Sequence, residues 1–225
     1  MVNVCSTNMW LKPAIAAIEL AQMIVQGVWN EDSRLLQLPH FDKERSRGFE
    51  SEGVDNIFDF TEMEDNVRAP LLEGFSEKEM GEIAAFCNDY PDIEVTPTME
   101  SSVVQAGEDS VLHVKLGLGD EEEEGEEEEG GYDATVKSQQ FPQKLRLTWW
   151  LILGDQNDNS IQAITEVDLE KTREKKLVFT APSKPGHYKW VLYFMTDGYV
   201  GCDQEQEIEF DVEGEVAEEE MEVEE

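Results

Sequence analysis

The pattern of apolar residues changes at about residue 93, and this change most constrains the fold. Before it, apolar side chains recur at three- and four-residue steps, whereas after it short runs rich in β-branched and aromatic residues alternate with turn residues. Seven runs are predicted as strands: 93–98, 111–118, 145–152, 161–167, 175–180, 187–195 and 208–212. This number and spacing are typical of an immunoglobulin-like β-sandwich. The chain is therefore predicted to be α+β, with helices first and the sandwich at 93–212.

The sixth predicted strand is apolar on both faces. Its six consecutive apolar residues are Trp190, Val191, Leu192, Tyr193, Phe194 and Met195. Successive side chains of a strand point to opposite faces, so both faces need a cover. We expect the sandwich core on one side, and on the other the helical region of this chain or a partner protein. The adjacent Trp149 and Trp150 are likewise expected to point to opposite faces.

Residues 1–41 are predicted to be the end of a helical bundle, with a helix that starts near Pro13. Two apolar rows follow: Leu11, Ile15, Ile18, Val25 and Trp29, interrupted at Gln22, and Ala14, Ala17, Ala21, Ile24 and Val28. A helix that is apolar around most of its circumference is normally buried among other helices. We therefore expect that it docks on a partner or belongs to a larger helical domain preceding residue 1.

Residues 42–92 are predicted to form a small helix-loop-helix domain. Ser76 and Glu79 match the S-x-x-E capping box, and Phe75 with Met80 matches the hydrophobic staple that accompanies it. The helix so begun is expected to end near Asn88. Its expected apolar face is Met80, Ile83, Ala84 and Cys87. Two shorter helical pieces are predicted at 53–58 and 67–72, the second limited by Pro70.

The chain is strongly acidic, with 52 acidic against 17 basic residues and a formal net charge of -35. Residues 119–131 are almost entirely Glu and Gly, and both this segment and the acidic tail at 213–225 are predicted to be disordered. Such a charge repels phosphate backbones, so strong direct binding of nucleic acid is not expected. An independent RNA-binding module would depend on Lys43, Arg45 and Arg47, which acidic neighbours outweigh.

No catalytic motif is present, and no catalytic, cofactor-binding or metal-binding residue is predicted. The three histidines, His40, His113 and His187, fall in separate elements without a second ligand at metal spacing. The three cysteines, Cys5, Cys87 and Cys202, are odd in number and far apart, which indicates neither a disulfide framework nor a zinc site. The longest apolar stretch, 11–29, is too polar for a membrane span. Partner-binding residues cannot be assigned from the pattern.

Several segments resemble one family, the C-terminal SEC-sixty-three-homology unit of the large spliceosomal Ski-two-like RNA helicases. They are WLKPAIAAIELAQM at 10–23, QLPHF at 37–41, MED at 63–65, FCNDYP at 86–91, FPQK at 141–144, WW at 149–150 with GD at 154–155, and YFMTDGYVGCDQE at 193–205. The last is the most specific. The resemblance covers nearly the whole chain except the acidic loop and tail.

The resemblance implies a nuclear protein of the U5 small nuclear ribonucleoprotein that acts in pre-mRNA splicing. It implies spliceosomal proteins as partners and no membrane association. The family's ATP-binding motor domains have no counterpart in these residues, so the chain is expected to be a non-catalytic protein-interaction platform within a helicase. The alternative is the cytosolic domain of the endoplasmic-reticulum protein-translocation subunit that shares the same homology unit.

Overall fold

The computed structural model describes residues 1–118, 134–169 and 173–214, and within these ranges it contains six α-helices and eight strands. The helices are α1 (Val2–Thr7), α2 (Leu11–Gln26), α3 (Lys43–Glu50), α4 (Ile57–Glu62), α5 (Asp65–Leu71) and α6 (Glu77–Asp89), with a 3-10 helix at Arg34–Gln37. The strands are β1 (Ile93–Met99), β2 (Val103–Gln105), β3 (Asp109–Leu118), β4 (Trp149–Asp155), β5 (Ser160–Val167), β6 (Glu174–Thr180), β7 (Gly186–Thr196) and β8 (Gln204–Glu213). The predicted α+β class is confirmed.

The strands of the described ranges form two sheets. The smaller sheet has the order β1-β3-β6 and is antiparallel, and the larger sheet has the order β2-β8-β7-β4-β5. In the larger sheet β2 runs parallel to β8, while the other neighbours are antiparallel. Each of the seven predicted strands is present, and β2 is an additional short edge strand. The β7 strand lies at the centre of the larger sheet.

The predicted start of the third strand, at residue 145, was wrong. The backbone of residues 145–147 pairs instead with the segment that precedes it: Val136 N donates to Leu145 O at 2.9 Å, and Leu147 N donates to Ala134 O. Strand β4 consequently begins at Trp149. The apolar pattern of residues 145–148 reflects burial of Leu147 outside the sheet.

A first core fills the space between the two sheets. Phe179 of β6 packs its ring against Trp190 of β7 at 5.2 Å and against Phe210 of β8 at 5.7 Å. On the same side of the larger sheet, Trp149 of β4 stacks on Phe194 of β7 at 4.3 Å. These contacts join the inner faces of the two sheets, so one face of β7 is covered as expected.

A second core lies on the outer face of the larger sheet, under α1 and α2. Its buried members are Cys5, Leu11, Ala14, Ile18, Trp150, Ile152, Ile161, Val191, Tyr193 and Met195. Helix α2 approaches β4 closely at Gly154. A Cβ atom added to this glycine would lie 2.6 Å from Leu11 Cδ1. The expectations that Trp149 and Trp150 point to opposite faces, and that helices of this chain cover the second face of β7, are both confirmed.

The expectation that α2 is buried among helices was wrong for its buried face, which lies on a sheet instead. The helix starts at Leu11, before Pro13, and ends at Gln26; the capping residue Gly27 has a φ of 67°, the left-handed conformation that closes many helices. Its outward side retains exposed apolar residues, with Leu20 38% and Ile24 57% exposed.

The helices from α3 to α6 contribute buried side chains, such as Phe49, Ile57 and Phe86, to the first core. The predicted capping box is confirmed, since Ser76 and Glu79 bond reciprocally, and α6 then runs to Asp89. The helix predicted at 53–58 is displaced, because Asn56 Oδ1 accepts a hydrogen bond from Asp59 N at 2.9 Å and starts α4 at Ile57.

Most residues of the two segments predicted to be disordered lie outside the described ranges. Residues 119–131 lie outside them, as do residues 215–225 of the predicted tail. Strand β8 includes Glu213, the first residue of that tail.

Replacement of Ile152 by alanine should destabilise the protein by about 2–5 kcal/mol, because this fully buried side chain supports the helix–sheet core and its removal leaves a cavity. Urea unfolding of both proteins measures the loss. The control is Val178→Ala, at a side chain that is 58% exposed, for which a change within about 0.5 kcal/mol is expected. Equal losses in the two variants would contradict the described packing.

Candidate functional site

The loop that joins β7 to β8, residues 197–203, is bonded to several helices. This loop and the side chains that bond to it are called the junction. Gln22 of α2 donates from Nε2 to Thr196 O at 2.6 Å and to the carboxylate oxygens of Asp203 at 2.8 and 3.0 Å. One turn later, Gln26 Nε2 donates to Gly198 O at 2.6 Å. Both glutamines are at least 97% buried, so these bonds form away from bulk water. Two polar side chains of α2 thus hold the backbone of this loop.

Two further helical elements hold the middle of the same loop. Gln37 accepts from Val200 N and donates to Val200 O, each at 2.9 Å, and Tyr90 Oη donates to Val200 O at 2.8 Å. Gly201 has a φ of 96°, and a Cβ atom there would lie 2.9 Å from Arg34 Cδ. The close approach and the backbone conformation together require glycine at this position.

The loop is also bonded to the sheet side. Thr148 N donates to Asp197 Oδ1 at 3.0 Å, and Thr196 Oγ1 donates to Thr148 O at 3.1 Å. Lys137 N donates to Tyr199 Oη at 2.8 Å. Burial raises the pKa of Asp197, with Glu166 adding to the effect, while the Thr148 hydrogen bonds oppose it. The loop therefore joins α2, the 3-10 helix, the end of α6 and the segment before β4 into one body.

Asp203 is the electrostatic centre of this junction. The pKa of Asp203 is raised from 3.8 to about 6, chiefly by burial, and the nearby Glu19 contributes in the same direction. The hydrogen bonds from Gln22 and Thr196 and the charge of Arg34 act in the opposite direction. Since burial is the largest cause, the ionised carboxylate is less stable in the folded protein than in water.

A cleft of about 500 Å³ opens beside the junction, between α6 and the segment 135–144. Its apolar walls include Phe86, Phe141 and Pro142. Lys137 lies on one rim and pairs with Asp89 of α6 at 3.5 Å.

The outer face of β8 is acidic along its length. Its outward residues are Glu205, Glu207, Glu209, Asp211 and Glu213. On the neighbouring β7, Lys189 Nζ pairs with Glu207 at 2.7 Å and His187 Nδ1 lies 2.9 Å from Asp211. These pairs are exposed to solvent, so each contributes little to stability. The face repels phosphate and favours basic protein surfaces.

The three histidines considered in the sequence lie apart. His40 contacts Glu82 of α6, His113 is on β3 and His187 is on β7. Among the residues that the structure describes, no group of three or more His, Cys, Asp or Glu side chains could hold a metal ion. In the same ranges, no helix combines the length and apolar character needed to cross a bilayer.

The three basic residues weighed for RNA binding share helix α3. Lys43 pairs with Asp32 at 2.7 Å, and Arg45 lies over the ring of Phe75 at 3.9 Å. Arg47 occupies the last turn of the helix. Two of the three are thus engaged within the chain.

Cys5, Cys87 and Cys202 are free thiols. Burial raises the pKa of the Cys87 thiol to about 11, although Arg68 opposes the shift. This thiol is therefore a poor nucleophile near neutral pH.

The sequence reasoning did not assign Gln22, Gln26 and Gln37 to any site, yet these residues build the junction. One signal was present, because Gln22 interrupts an otherwise apolar row of α2. A polar residue at such a position indicates a buried hydrogen-bond partner elsewhere in the fold. Its partner lies 174 residues away, so the pattern alone could not name it.

The Sec63 Brl domain family matches residues 1–209, and the chain belongs to this family. The resemblance stated from the sequence is thereby confirmed.

Among its relatives, the U5 small nuclear ribonucleoprotein 200 kDa helicase of Homo sapiens is 41% identical over 212 residues, which cover 94% of this chain and 9% of that protein. The DExH-box ATP-dependent RNA helicase DExH12 of Arabidopsis thaliana is 41% identical over 226 residues, 99% of this chain and 10% of that protein. The chain thus spans about a tenth of the length of these relatives. Its sequence is similar to one region of these two helicases.

Among solved structures, a conjugative transposon lipoprotein from Bacteroides eggerthii matches 54% of this chain and 97% of its own, with 13% identity and a TM-score of 0.31. A likeness at this level carries no functional argument.

Replacement of Asp203 by asparagine should change how stability depends on pH. Because the folded pKa is raised, the contribution of Asp203 is fully present below pH 3.8 and is lost as the pH rises through about 6. Relative to the native protein, Asp203→Asn should therefore gain up to about 3 kcal/mol in unfolding free energy between pH 4 and pH 7.5. Urea unfolding at several pH values measures this difference.

The matched control is Asp211→Asn, at an exposed carboxylate on the outer face of β8. The prediction would be contradicted if the unfolding free energies of Asp203→Asn and the native protein differed by the same amount at every pH from 4 to 7.5. Asp203 would then ionise as readily in the folded state as in the unfolded one.

Proposed function

We propose that this chain is the non-catalytic C-terminal unit of a spliceosomal RNA helicase, and that it acts in pre-mRNA splicing as a protein-interaction platform in the nucleus. The identity of 41% to the U5 helicases supports the setting. The observation that carries the platform role is the junction, in which Gln22, Gln37 and Tyr90 bond one loop to three helical elements. Helices and sheets that are bonded to one loop keep their relative positions, so their surfaces keep a constant geometry for a partner.

We further propose the division into the end of a helical bundle at 1–41, a helix-loop-helix domain at 42–92, an immunoglobulin-like sandwich at 93–212 with the acidic loop at 119–131, and the acidic tail from 213. The strand order supports the sandwich assignment. Sheets of β1-β3-β6 and β8-β7-β4-β5 correspond to the A-B-E and G-F-C-C′ strands of an immunoglobulin domain.

The proposed partners are spliceosomal proteins. Strong direct binding of nucleic acid is not expected. The formal net charge of -35 and the acidic outer face of β8 oppose contact with a phosphate backbone. The same charges favour fast association with basic protein surfaces. The ATP-dependent motor would belong to other parts of the parent helicase.

The full chain, immobilised and titrated with individually purified proteins of the U5 particle, should show saturable binding to at least one of them. Titration with single-stranded RNA at low salt should show none, because the acidic surface repels the phosphates. Surface plasmon resonance measures both series. Tight, salt-sensitive RNA binding, or no binding to any U5 protein, would contradict the proposed function.

Gln22→Leu tests the part played by the junction. This variant leaves Asp203 buried without its amide donor, so it should loosen α2 and weaken the protein complex about tenfold or more. Gln162→Leu, at a partly exposed side chain of β5 that bonds locally to Ser160, is the matched control and should bind like the native chain.

A further inference from the structure

An apolar groove lies between α4, α5 and α6, away from the junction. It consists of two hollows of about 350 and 420 Å³ that share Arg68, Leu72 and Met80 along their common boundary. Its apolar lining is Phe60, Leu72, Phe75, Met80, Ile83 and Ala84. Grooves of this kind, between short helices and lined by apolar side chains, are typical of sites that take a helix of a partner.

The α5 wall of the groove is only loosely committed to the core. The structure describes all seven residues of this helix, and none of them is buried. Pro70 removes one backbone donor from its last turn, and Val67 is 37% exposed. A helix of this length has little stability of its own, so this wall can adjust to an occupant. Met80 on the opposite wall is also 37% exposed and has a flexible side chain that adapts to different partners.

Two exposed carboxylates, Asp65 and Glu73, stand on the rim of the groove. Asp65 pairs with Arg68, so carboxylates outnumber cationic side chains among the residues that line the two hollows. Basic groups on an occupant would therefore find complementary charges around an apolar floor. A phosphate backbone would meet the same carboxylates and be repelled.

We propose that this groove binds an amphipathic helix of a partner protein, with apolar residues at three- and four-residue steps and Lys or Arg on its flanks. The inference rests on the proposed function as a protein-interaction platform and assigns that role to one surface and one kind of partner. The apolar stripe of the helix fills the lining from Phe60 to Ala84, and its basic flanks lie over the rim.

The test uses the full chain and two synthetic fluorescent peptides. One forms a helix with leucines in a single stripe and lysines on its flanks, and the other has the same composition with the leucines scattered around the helix. Fluorescence anisotropy should show saturable binding of the striped peptide, at least about ten times tighter than the scattered one, because only the stripe matches the groove. Equal affinities would reduce the interaction to charge and overturn the proposal.

Two matched variants of α6 locate the binding. Ala84 and Ala85 are adjacent, chemically identical and both exposed, but Ala84 lines the groove whereas Ala85 lines the cleft on the other side of the helix. Ala84→Trp should fill the groove and weaken the striped peptide about tenfold or more, while Ala85→Trp should bind like the native chain. Circular dichroism melting establishes that both variants fold.

The assignment to the groove would be overturned if Ala85→Trp weakened binding of the striped peptide, alone or together with Ala84→Trp. It would also be overturned if neither variant weakened that binding. Displacement of the peptide by single-stranded RNA would overturn the choice of a protein helix. If U5 proteins bind the native chain and the Ala84→Trp variant equally well, this inference fails while the proposed function stands. If they do not bind at all, the proposed function fails as well.

Discussion

The central strand β7 buries large side chains on both of its faces, and the rest of the structure depends on covering them. One face meets the smaller sheet through the contact of Trp190 with Phe179. The other face, with Val191 and Tyr193, would be exposed to water in an isolated sandwich, and α1 and α2 cover it. Burial of such side chains contributes roughly 1.5–3 kcal/mol each. The helices are therefore a required layer of the fold.

Apolar contact alone would leave the position of α2 along the sheet poorly defined, because apolar packing is not directional. The amides of Gln22 and Gln26 remove that freedom, since each has one set of backbone acceptors within reach. Gln37 and Tyr90 then tie the remaining helices to the same loop. The apolar core gives the layers their cohesion, and the polar junction gives them their register. A surface used for recognition benefits from both.

Much of the fold could be predicted, because its signals are local. The unbroken run from Trp190 to Met195 predicts a strand covered on two sides, and the Ser76 capping box predicts the start of α6. The errors had different causes. The start of β4 was misplaced because Leu145 pairs with an earlier segment, and β2 was missed because three residues carry no periodicity. The junction was missed because its partners are distant in the sequence: Gln22 and Asp203 are 181 residues apart.

The bond between α2 and the start of β8 also has a mechanical consequence. A pull along β8 from its far end is held at Asp203 by Gln22, so the load runs parallel to the strand. The hydrogen bonds between β8 and β7 lie perpendicular to that direction and must break together rather than one by one. Under tension the strands are loaded in shear, the geometry in which a sheet offers the greatest resistance.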